Sequence, residues 1–498
     1  MSYVIGIDLG TSAVKILLVS KAGTVTHTIS KAYPLIQHQS GFSEQEPSEW
    51  VTQTINALAE LVQTFPEESK LIEGISFSGQ MHGLVLLDEH RQVLRPAILW
   101  NDTRTTAQCK RIQEIIGKEE LLSITKNPIL EGFTLPKLLW VRDHEPDVFR
   151  KAATFLLPKD YLRYALTGTL QCEYSDAGGT SLLDIEKQTW SQHILSKLEL
   201  DPTLCPPLVT SHEVVGCLTA SVAKSTGLSD SIKVMAGGAD NACGAIGAGI
   251  LTPKDTLVSI GTSGVVLAYE QDKQAEANGK VHFFHHAKPE AFYKMGVTLS
   301  AGYSLSWFKD TFATEEDIGT LIEEAGLRPA GAKGLLFSPY LSGERTPHAD
   351  AAIRASFIGM SSTHTRADFT RAVLEGITFS LKDSVELFRE EGIAIDRIVS
   401  IGGGARSEVW LQMQADIFNC TIVKLTSEQG PGMGAAMLAA YGLNWFDSLE
   451  DCAAEFLQEQ EVYNPDPVQV QQYDSIYKIY RSVYQHTKEM NQALSVYR

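Results

Sequence analysis

Two distant stretches of the chain share one apolar pattern. Tyr3-Val4-Ile5 and Ile16-Leu17-Leu18-Val19 flank Gly6-Ile7-Asp8-Leu9-Gly10-Thr11-Ser12, while Leu257-Val258-Ser259 and Val265 through Tyr269 flank Ile260-Gly261-Thr262-Ser263-Gly264. Short β-rich runs on either side of glycine and hydroxyl residues predict a hairpin at each place. Two copies, the second about halfway along, predict two related lobes facing one ligand. Elsewhere Trp50, Ile55, Leu58 and Leu61 recur at helical spacing and predict a helix from Pro47 through Leu61. Strands are expected from Leu71 to Phe77 and from Leu84 to Leu87, which puts Met81 and His82 in the turn between them. Helices and loops alternate from Thr105 to about Leu208. Val234-Met235-Ala236 then leads into Gly237-Gly238-Ala239-Asp240-Asn241-Ala242, and the small residues Cys243 to Gly249 suit a closely packed helix. Further on, a buried-type strand, Ile398 to Ile401, ends in Gly402-Gly403-Gly404, and Gln429 to Gly434 precedes a small-residue helix, Ala435 to Tyr441. Val470, Tyr473, Tyr477, Tyr480 and Tyr484 predict a closing helix. The expected division is a first lobe over 1–245, a second over 246–445 and a helical extension over 446–498.

A chain of 498 residues is too long for one typical core, in keeping with that division. Its 42 basic and 60 acidic residues give a net charge of -18, which disfavours nucleic acid and anionic membranes and favours small-molecule partners. The chain opens directly on a strand-like run, without a basic-then-apolar leader, and has no apolar stretch of membrane-spanning length, so a cytoplasmic location is expected. Seven cysteines without a CxxC pair indicate reduced packing thiols, and the thirteen histidines form no metal-ligand cluster.

Side-chain-poor turns let backbone N–H groups approach an anion, and Thr11, Ser12, Thr262 and Ser263 add hydroxyl donors. Phosphate is the natural guest. Asp8 has no acidic counterpart at the start of the second turn; a carboxylate beside phosphates is repulsive unless a cation bridges them, so Asp8 points to Mg²⁺. Neither GxxxxGK[ST] nor GxGxxG occurs, so a nucleotide must be held by another device, and glycine turns facing across a cleft supply one. Asp240, among Gly238, Ala239 and Ala242, is a candidate general base; on this segment alone it is equally a cap for the helix that follows. His82 and Gln80 offer hydrogen bonds to a polyol and Met81 an apolar contact, although a lone histidine is more often structural. Trp100-Asn101-Asp102-Thr103-Arg104 reads either as an aromatic wall with polar contacts or as an Asp-Arg surface turn.

The set Asp8-Leu9-Gly10-Thr11, Gly79-Gln80-Met81-His82-Gly83, Trp100-Asn101-Asp102, Gly238-Ala239-Asp240-Asn241, Gly261-Thr262-Ser263-Gly264 and Gly402-Gly403-Gly404 resembles the FGGY family of carbohydrate kinases. Two longer family patterns also fit: Gly132-Phe133-Thr134-Leu135-Pro136-Lys137-Leu138-Leu139-Trp140, and Ala355-Ser356-Phe357-Ile358-Gly359-Met360 continuing to Glu375.

The resemblance implies an α/β fold of two ribonuclease-H-like, actin-type lobes with the active site in the cleft between them. It implies ATP and Mg²⁺, with Asp240 as base, Asp8 at the metal and phosphates, and Met81, His82, Gln80, Trp100 and Asn241 toward the sugar. Thr11, Ser12, Gly261, Thr262 and Gly302 would meet phosphates, and Gly402, Gly403, Gly404 and Ser407 the nucleotide, although glycerol kinases in the family often carry Asn at the Ser407 position. The Gln80-Met81-His82-Gly83 segment resembles the family's xylulose-binding turn, so D-xylulose is the expected substrate, with D-ribulose, gluconate and glycerol as rivals. A homodimer is a family-level expectation. A different class, an actin-like nucleotide switch, would share the glycine turns but needs no sugar pocket.

Overall fold

The computed structural model describes residues 2–275, 278–426 and 429–498. In the first lobe Tyr3–Leu9 (β1), Ala13–Ser20 (β2) and Val25–Ala32 (β3) form an antiparallel meander, and Ile72–Gly79 (β4) joins β1 in parallel. Val214–Cys217 (β5) and Lys233–Met235 (β6) extend the sheet beyond β4, and the two-residue strand Gly238–Ala239 (β7) pairs with the end of β4. The second lobe repeats the plan. Asp255–Ile260 (β8) and Gly264–Glu270 (β9) make a hairpin, with His282–His285 (β10) and Phe292–Thr298 (β11) continuing on one side. On the other side Arg397–Gly402 (β12) pairs with β8 in parallel, followed by Thr421–Leu425 (β13) and Glu459–Tyr463 (β14). Both expected hairpins are present, and in each lobe the first hairpin strand lies parallel to a later strand. This is the two-lobed α/β architecture expected from the repeat.

Strands buried on both faces read as continuous apolar runs, and the first lobe shows why. Ile5, Ile7, Ile16 and Leu18 pack with Trp50, Leu58 and Leu61 of Pro47–Thr64 (α1), whereas Val4, Leu17 and Val19 on the opposite face belong to the core between the lobes. Around this frame lie a short helix, Tyr174–Gly178 (α2), then Asp240–Gly247 (α3), Gly302–Phe312 (α4), Ile318–Gly326 (α5), Arg366–Glu390 (α6), Glu408–Phe418 (α7), Pro431–Gly442 (α8) and Pro467–Leu494 (α9). The closing helix α9 buries Tyr473, Tyr477 and Tyr480; the Tyr473 hydroxyl donates to Glu375 Oε1 at 2.9 Å and that of Tyr477 to Asp383 Oδ1 at 2.6 Å, both on α6. Among the described residues no helix is long and apolar enough to cross a membrane.

The lobes are joined by α8, which lies between β13 and β14 of the second lobe in sequence yet packs against β1 and β4 of the first, and crosses α3. Its residues Gly432 through Ala440 are buried, so small size rather than amphipathic spacing is what the sequence supplies there. The approach is closer than a side chain permits. A Cβ on Gly434 would lie 1.9 Å from the Cys243 carbonyl oxygen, and one on Gly6 would lie 2.1 Å from the Gly432 carbonyl oxygen.

Gly434→Ala is therefore expected to lower stability by about 1–3 kcal/mol, through overpacking that the backbone of α3 cannot relieve. Gly244→Ala, where the new methyl meets only Pro431 Cγ at 3.8 Å, should be neutral or stabilising by up to about 1 kcal/mol of helix propensity. Thermal unfolding of both variants checks the pair; equal melting temperatures would sink the close-crossing account.

Candidate active site

Three neighbouring parallel strands of the first lobe end at one place. Asp8, next to last in β1, lies opposite Ser78 of β4 and Lys15 of β2, and Gly238 of β7 pairs with Ser78 from the other side. Asp8, the Gln80-Met81-His82 turn and Asp240 thus leave the carboxyl ends of adjacent strands, where open α/β sheets bind ligands. Burial pushes the Asp8 carboxyl up, against the pull of a Ser78 hydrogen bond and the Lys15 charge. Burial, and next the Asp8 charge, push the Asp240 carboxyl up to about 7, offset by the Asn241 N–H. Asp240 Oδ1 accepts that N–H at 2.7 Å and the Asn241 amide at 3.1 Å. Asp240 opens α3 without serving as its N-cap, which is Ala239.

His82 sits in the left-handed region, at φ 66°. Its Nδ1–H donates to the Gly179 carbonyl at 2.7 Å and its ring stacks on Phe133 at 4.4 Å. Burial lowers its pKa to about 3, so the ring is neutral; with the proton held on Nδ1, Nε2 is an acceptor. The His82 carbonyl takes Lys137 Nζ at 2.8 Å and Thr134 Oγ1 at 3.1 Å, which gives the Gly132-to-Trp140 pattern a physical role: it clamps the turn. Met81 is buried, with Asn241 Nδ2 donating to its sulfur at 3.5 Å, so the turn of β4 touches the segment that carries Asp240. Gln80 faces inward. Its amide donates to Gln45 Oε1 at 3.1 Å, which makes it a support for the turn rather than an exposed polar contact. Trp100 is 46 % exposed and its indole N–H donates to Thr11 Oγ1 at 3.0 Å, linking that wall to the first hairpin turn. Asp102 and Arg104 form a buried ion pair, so these two side chains are no surface turn, while Asn101 and Thr103 beside and between them are exposed.

In the second lobe the β8–β9 turn meets the start of α4. The N–H groups of Gly302, Ala301 and Tyr303 donate to the carbonyls of Gly261 at 2.8 Å, Thr262 at 3.0 Å and Thr262 at 3.1 Å. A Cβ on Gly302 would lie 2.5 Å from the Gly261 carbonyl oxygen, so glycine is required for this contact. Beside it β12 ends at Gly402, whose φ of 82° turns the chain into the Gly403–Arg406 helical turn. A cavity of about 500 Å³ brings together Gly261, Thr262, Gly302, Gly403, Gly404 and Ser407. Gly402 stands behind this lining, and Thr11 and Ser12 belong to the opposite lobe. The Ser407 hydroxyl is partly engaged, accepting the Trp410 N–H at 3.4 Å as cap of α7. Tyr303, Ile318, Ile322 and Arg406 also line the cavity and were not expected from sequence. Ile318 and Ile322 lie one turn apart on α5, a spacing that reads as ordinary core packing.

Comparison with known proteins agrees with this fold. Residues 3–247 match the N-terminal domain model of the FGGY family of carbohydrate kinases, and residues 256–443 match its C-terminal domain model. A xylulose kinase of Bacillus subtilis (strain 168) is 59% identical over 498 residues, covering 100% of both chains. Among solved structures, a ligand-bound xylulose kinase from Lactobacillus acidophilus superposes with a TM-score of 0.94 at 27% identity, covering 99% of this chain and 100% of that one. A gluconate kinase from the same organism gives 0.93 at 27% identity, with coverage of 99% and 100%.

The environment of His82 fixes its response to pH. Its folded pKa of about 3 lies below the usual value of 6.5, so the stability it contributes is fully present above pH 6.5 and is lost as pH falls toward 3. Proton NMR of the His82 ring should show no titration between pH 8 and 5, and a midpoint near 6.5 would refute the neutral assignment.

Proposed function

This chain belongs to the FGGY family of carbohydrate kinases, and from that premise we propose that it transfers the γ-phosphoryl group of ATP to the 5-hydroxyl of D-xylulose, giving D-xylulose 5-phosphate and ADP. The observation that carries the reading is the meeting of Asp240, Asp8 and the Met81-His82 turn at the carboxyl ends of three adjacent strands, opposite a lobe that presents a glycine-lined cavity. Asp240 accepts the proton of the sugar hydroxyl, whose oxygen attacks the γ-phosphorus while the bond to the β-γ bridging oxygen breaks. A carboxyl raised to about 7 suits this task, since general bases work best near the operating pH. His82 Nε2 accepts a sugar hydroxyl, and the buried Met81 forms the apolar floor. The turn at Gly261 and Thr262 and the adjacent Gly302 hold phosphates, while the base and ribose lie toward Gly403, Gly404 and Ser407 against Ile318 and Ile322. The same reading puts the enzyme in the cytoplasm, in xylose catabolism.

The residues present fit a magnesium ion. Asp8 is a half-buried carboxylate with Lys15 as its cationic influence, and its charge destabilises the ionised form of Asp240. Mg²⁺ is commonly bound by one or two carboxylates together with substrate phosphates, and Asp8 supplies such a carboxylate at the end of β1. Asp8 would hold it, and the ion would neutralise phosphoryl charge.

The direct test is ADP release with MgATP and D-xylulose, beside D-ribulose, gluconate, glycerol and a no-sugar control. Strong preference for D-xylulose is expected; preference for another acceptor would overturn the substrate, and sugar-independent turnover would favour a nucleotide switch. Asp240→Asn should lower kcat by about 10²–10⁴-fold while leaving sugar binding nearly intact. Near-normal turnover in that variant would remove Asp240 from the base role. Asp8→Ala is expected to lose turnover with sugar affinity retained, and a Mg²⁺ dependence identical to the parent's would count against the metal assignment.

A further inference from the structure

Beneath the Asp240 loop lies a buried polar cluster that the transfer reaction does not use. Lys159, Asp160, Arg163, Glu173 and Asp176 all have side chains 0% exposed. Lys159 Nζ donates to Asp160 Oδ1 at 2.8 Å and lies 3.2 Å from Asp176 and 3.6 Å from Glu173, while Arg163 donates to Asp160 Oδ1 at 2.8 Å. Burial, against the pull of Lys159, pushes the Asp176 carboxyl well up; with that group neutral, Lys159 and Arg163 balance Asp160 and Glu173. A balanced cluster of this kind is rigid, because every displaced charge would be left unpaired in a dry interior.

The cluster grips the backbone on which Asp240 is mounted. Arg163 donates to the Ala236 carbonyl at 2.9 Å, and the Gly237 N–H donates to the Ser211 carbonyl at 2.9 Å. The Ala239 N–H, immediately before Asp240, donates to Ser175 Oγ at 2.9 Å. Ser175 Oγ in turn donates to Glu173 Oε2 at 2.6 Å, and Ser211 Oγ to Glu173 Oε1 at 2.6 Å. Glu173 therefore fixes the polarity of the Ser175 hydroxyl: with its proton committed to the carboxylate, the oxygen faces Ala239 only as an acceptor. Glu173 also caps α2 by accepting the Ser175 and Asp176 N–H groups. Directly after α2, Gly179 receives the His82 Nδ1–H at 2.7 Å.

We propose that Ser175 and Glu173 are positioning residues for phosphoryl transfer: through Ala239 and Gly179, residues 173–179 form one strut that sets the separation between the Asp240 carboxylate and the sugar-holding His82. This rests on the reading of Asp240 as the base. A base must lie within hydrogen-bond reach of its hydroxyl, so a small shift of its mount costs rate more than sugar binding.

The test uses the full-length enzyme with Ser175→Ala, Glu173→Gln and Ser175→Cys, read by kinetics and by amide hydrogen exchange. Ser175→Ala should lower kcat by about ten- to a hundred-fold. The sugar KM should move by less than about threefold, because a transition-state contact is lost while the His82 contact is kept. Exchange over 236–241 should quicken without ligand, and thermal unfolding should show a folded protein. Glu173→Gln, which removes one of the four balanced charges as well as one acceptor from the two serines, should show a larger change of the same kind, and Ser175→Cys, which keeps a weak acceptor, should show a smaller one and carries the test if neither of the others folds. A kcat within about twofold of the parent in a folded variant would overturn the positioning role whatever the exchange shows, as would equal losses in kcat and sugar affinity. Because exchange reads the strut without turnover and Asp240→Asn reads the base without the strut, failure of either reading shows separately.

Discussion

The site depends first on how closely two helices can cross. α3 begins at Asp240 in the first lobe, α8 belongs in sequence to the second, and they meet where Gly434 lies against the Cys243 carbonyl, nearer than any side chain allows. The same helix lies over Gly6 of β1, the strand that ends at Asp8. A side chain at either place would separate α8 from the sheet or from α3, and would shift the strand ends that carry the carboxylates. Protein interiors pack too densely to absorb such a change locally. Lobe attachment and site geometry are thus one constraint, enforced by small residues.

Within that frame the chemistry follows from burial. Burial disfavours the ionised forms of both Asp8 and Asp240, Lys15 offsets part of this at Asp8, and the Asp8 charge adds to it at Asp240. Burial and that neighbouring charge hold the Asp240 carboxyl at about 7, and in the proposed reaction a cation arriving with phosphates would relieve the Asp8 charge. The histidine beside them takes the opposite course: burial lowers its pKa to about 3, so the ring is neutral and leaves Nε2 as an acceptor. Ionic and neutral roles are divided among side chains a few residues from one sheet edge.

Much of this was legible in the sequence because the decisive signals are local. Glycine-hydroxyl turns between apolar runs specify both hairpins, and the tyrosine spacing from Tyr473 onward specifies the closing helix. Residues whose role depends on distant partners were harder to read. Gln80 looks like a polar contact until Gln45 takes its amide, and Asp102 looks exposed until Arg104 buries it. Ile318 and Ile322 are indistinguishable from core residues until the fold sets them beside Gly403. The placement of α8 on the opposite lobe could not be read either, since a helix buried on every side carries no periodic pattern to say what covers it.

The two glycine turns show how one repeated unit supports different chemistry. Asp8 stands one residue before Leu9-Gly10-Thr11-Ser12; the corresponding place before Ile260-Gly261-Thr262-Ser263 is held by Ser259. Both sit near the ends of strands paired alike, Asp8 with Ser78 of β4 and Ser259 with Ile401 of β12. A second carboxylate at Ser259 would oppose phosphates without serving a metal or a base, and the turn beside it is held by backbone N–H groups of α4 instead. In the proposed reaction the acid stays with the lobe assigned to proton and cation, while the cavity assigned to the nucleotide is lined by glycines, hydroxyls and Arg406, with no carboxylate among the described residues. The two turns thus share one strand pairing and differ at one register position, an acid in the first lobe and a hydroxyl in the second, while Asp240 and His82 of the first lobe have no part in the repeat.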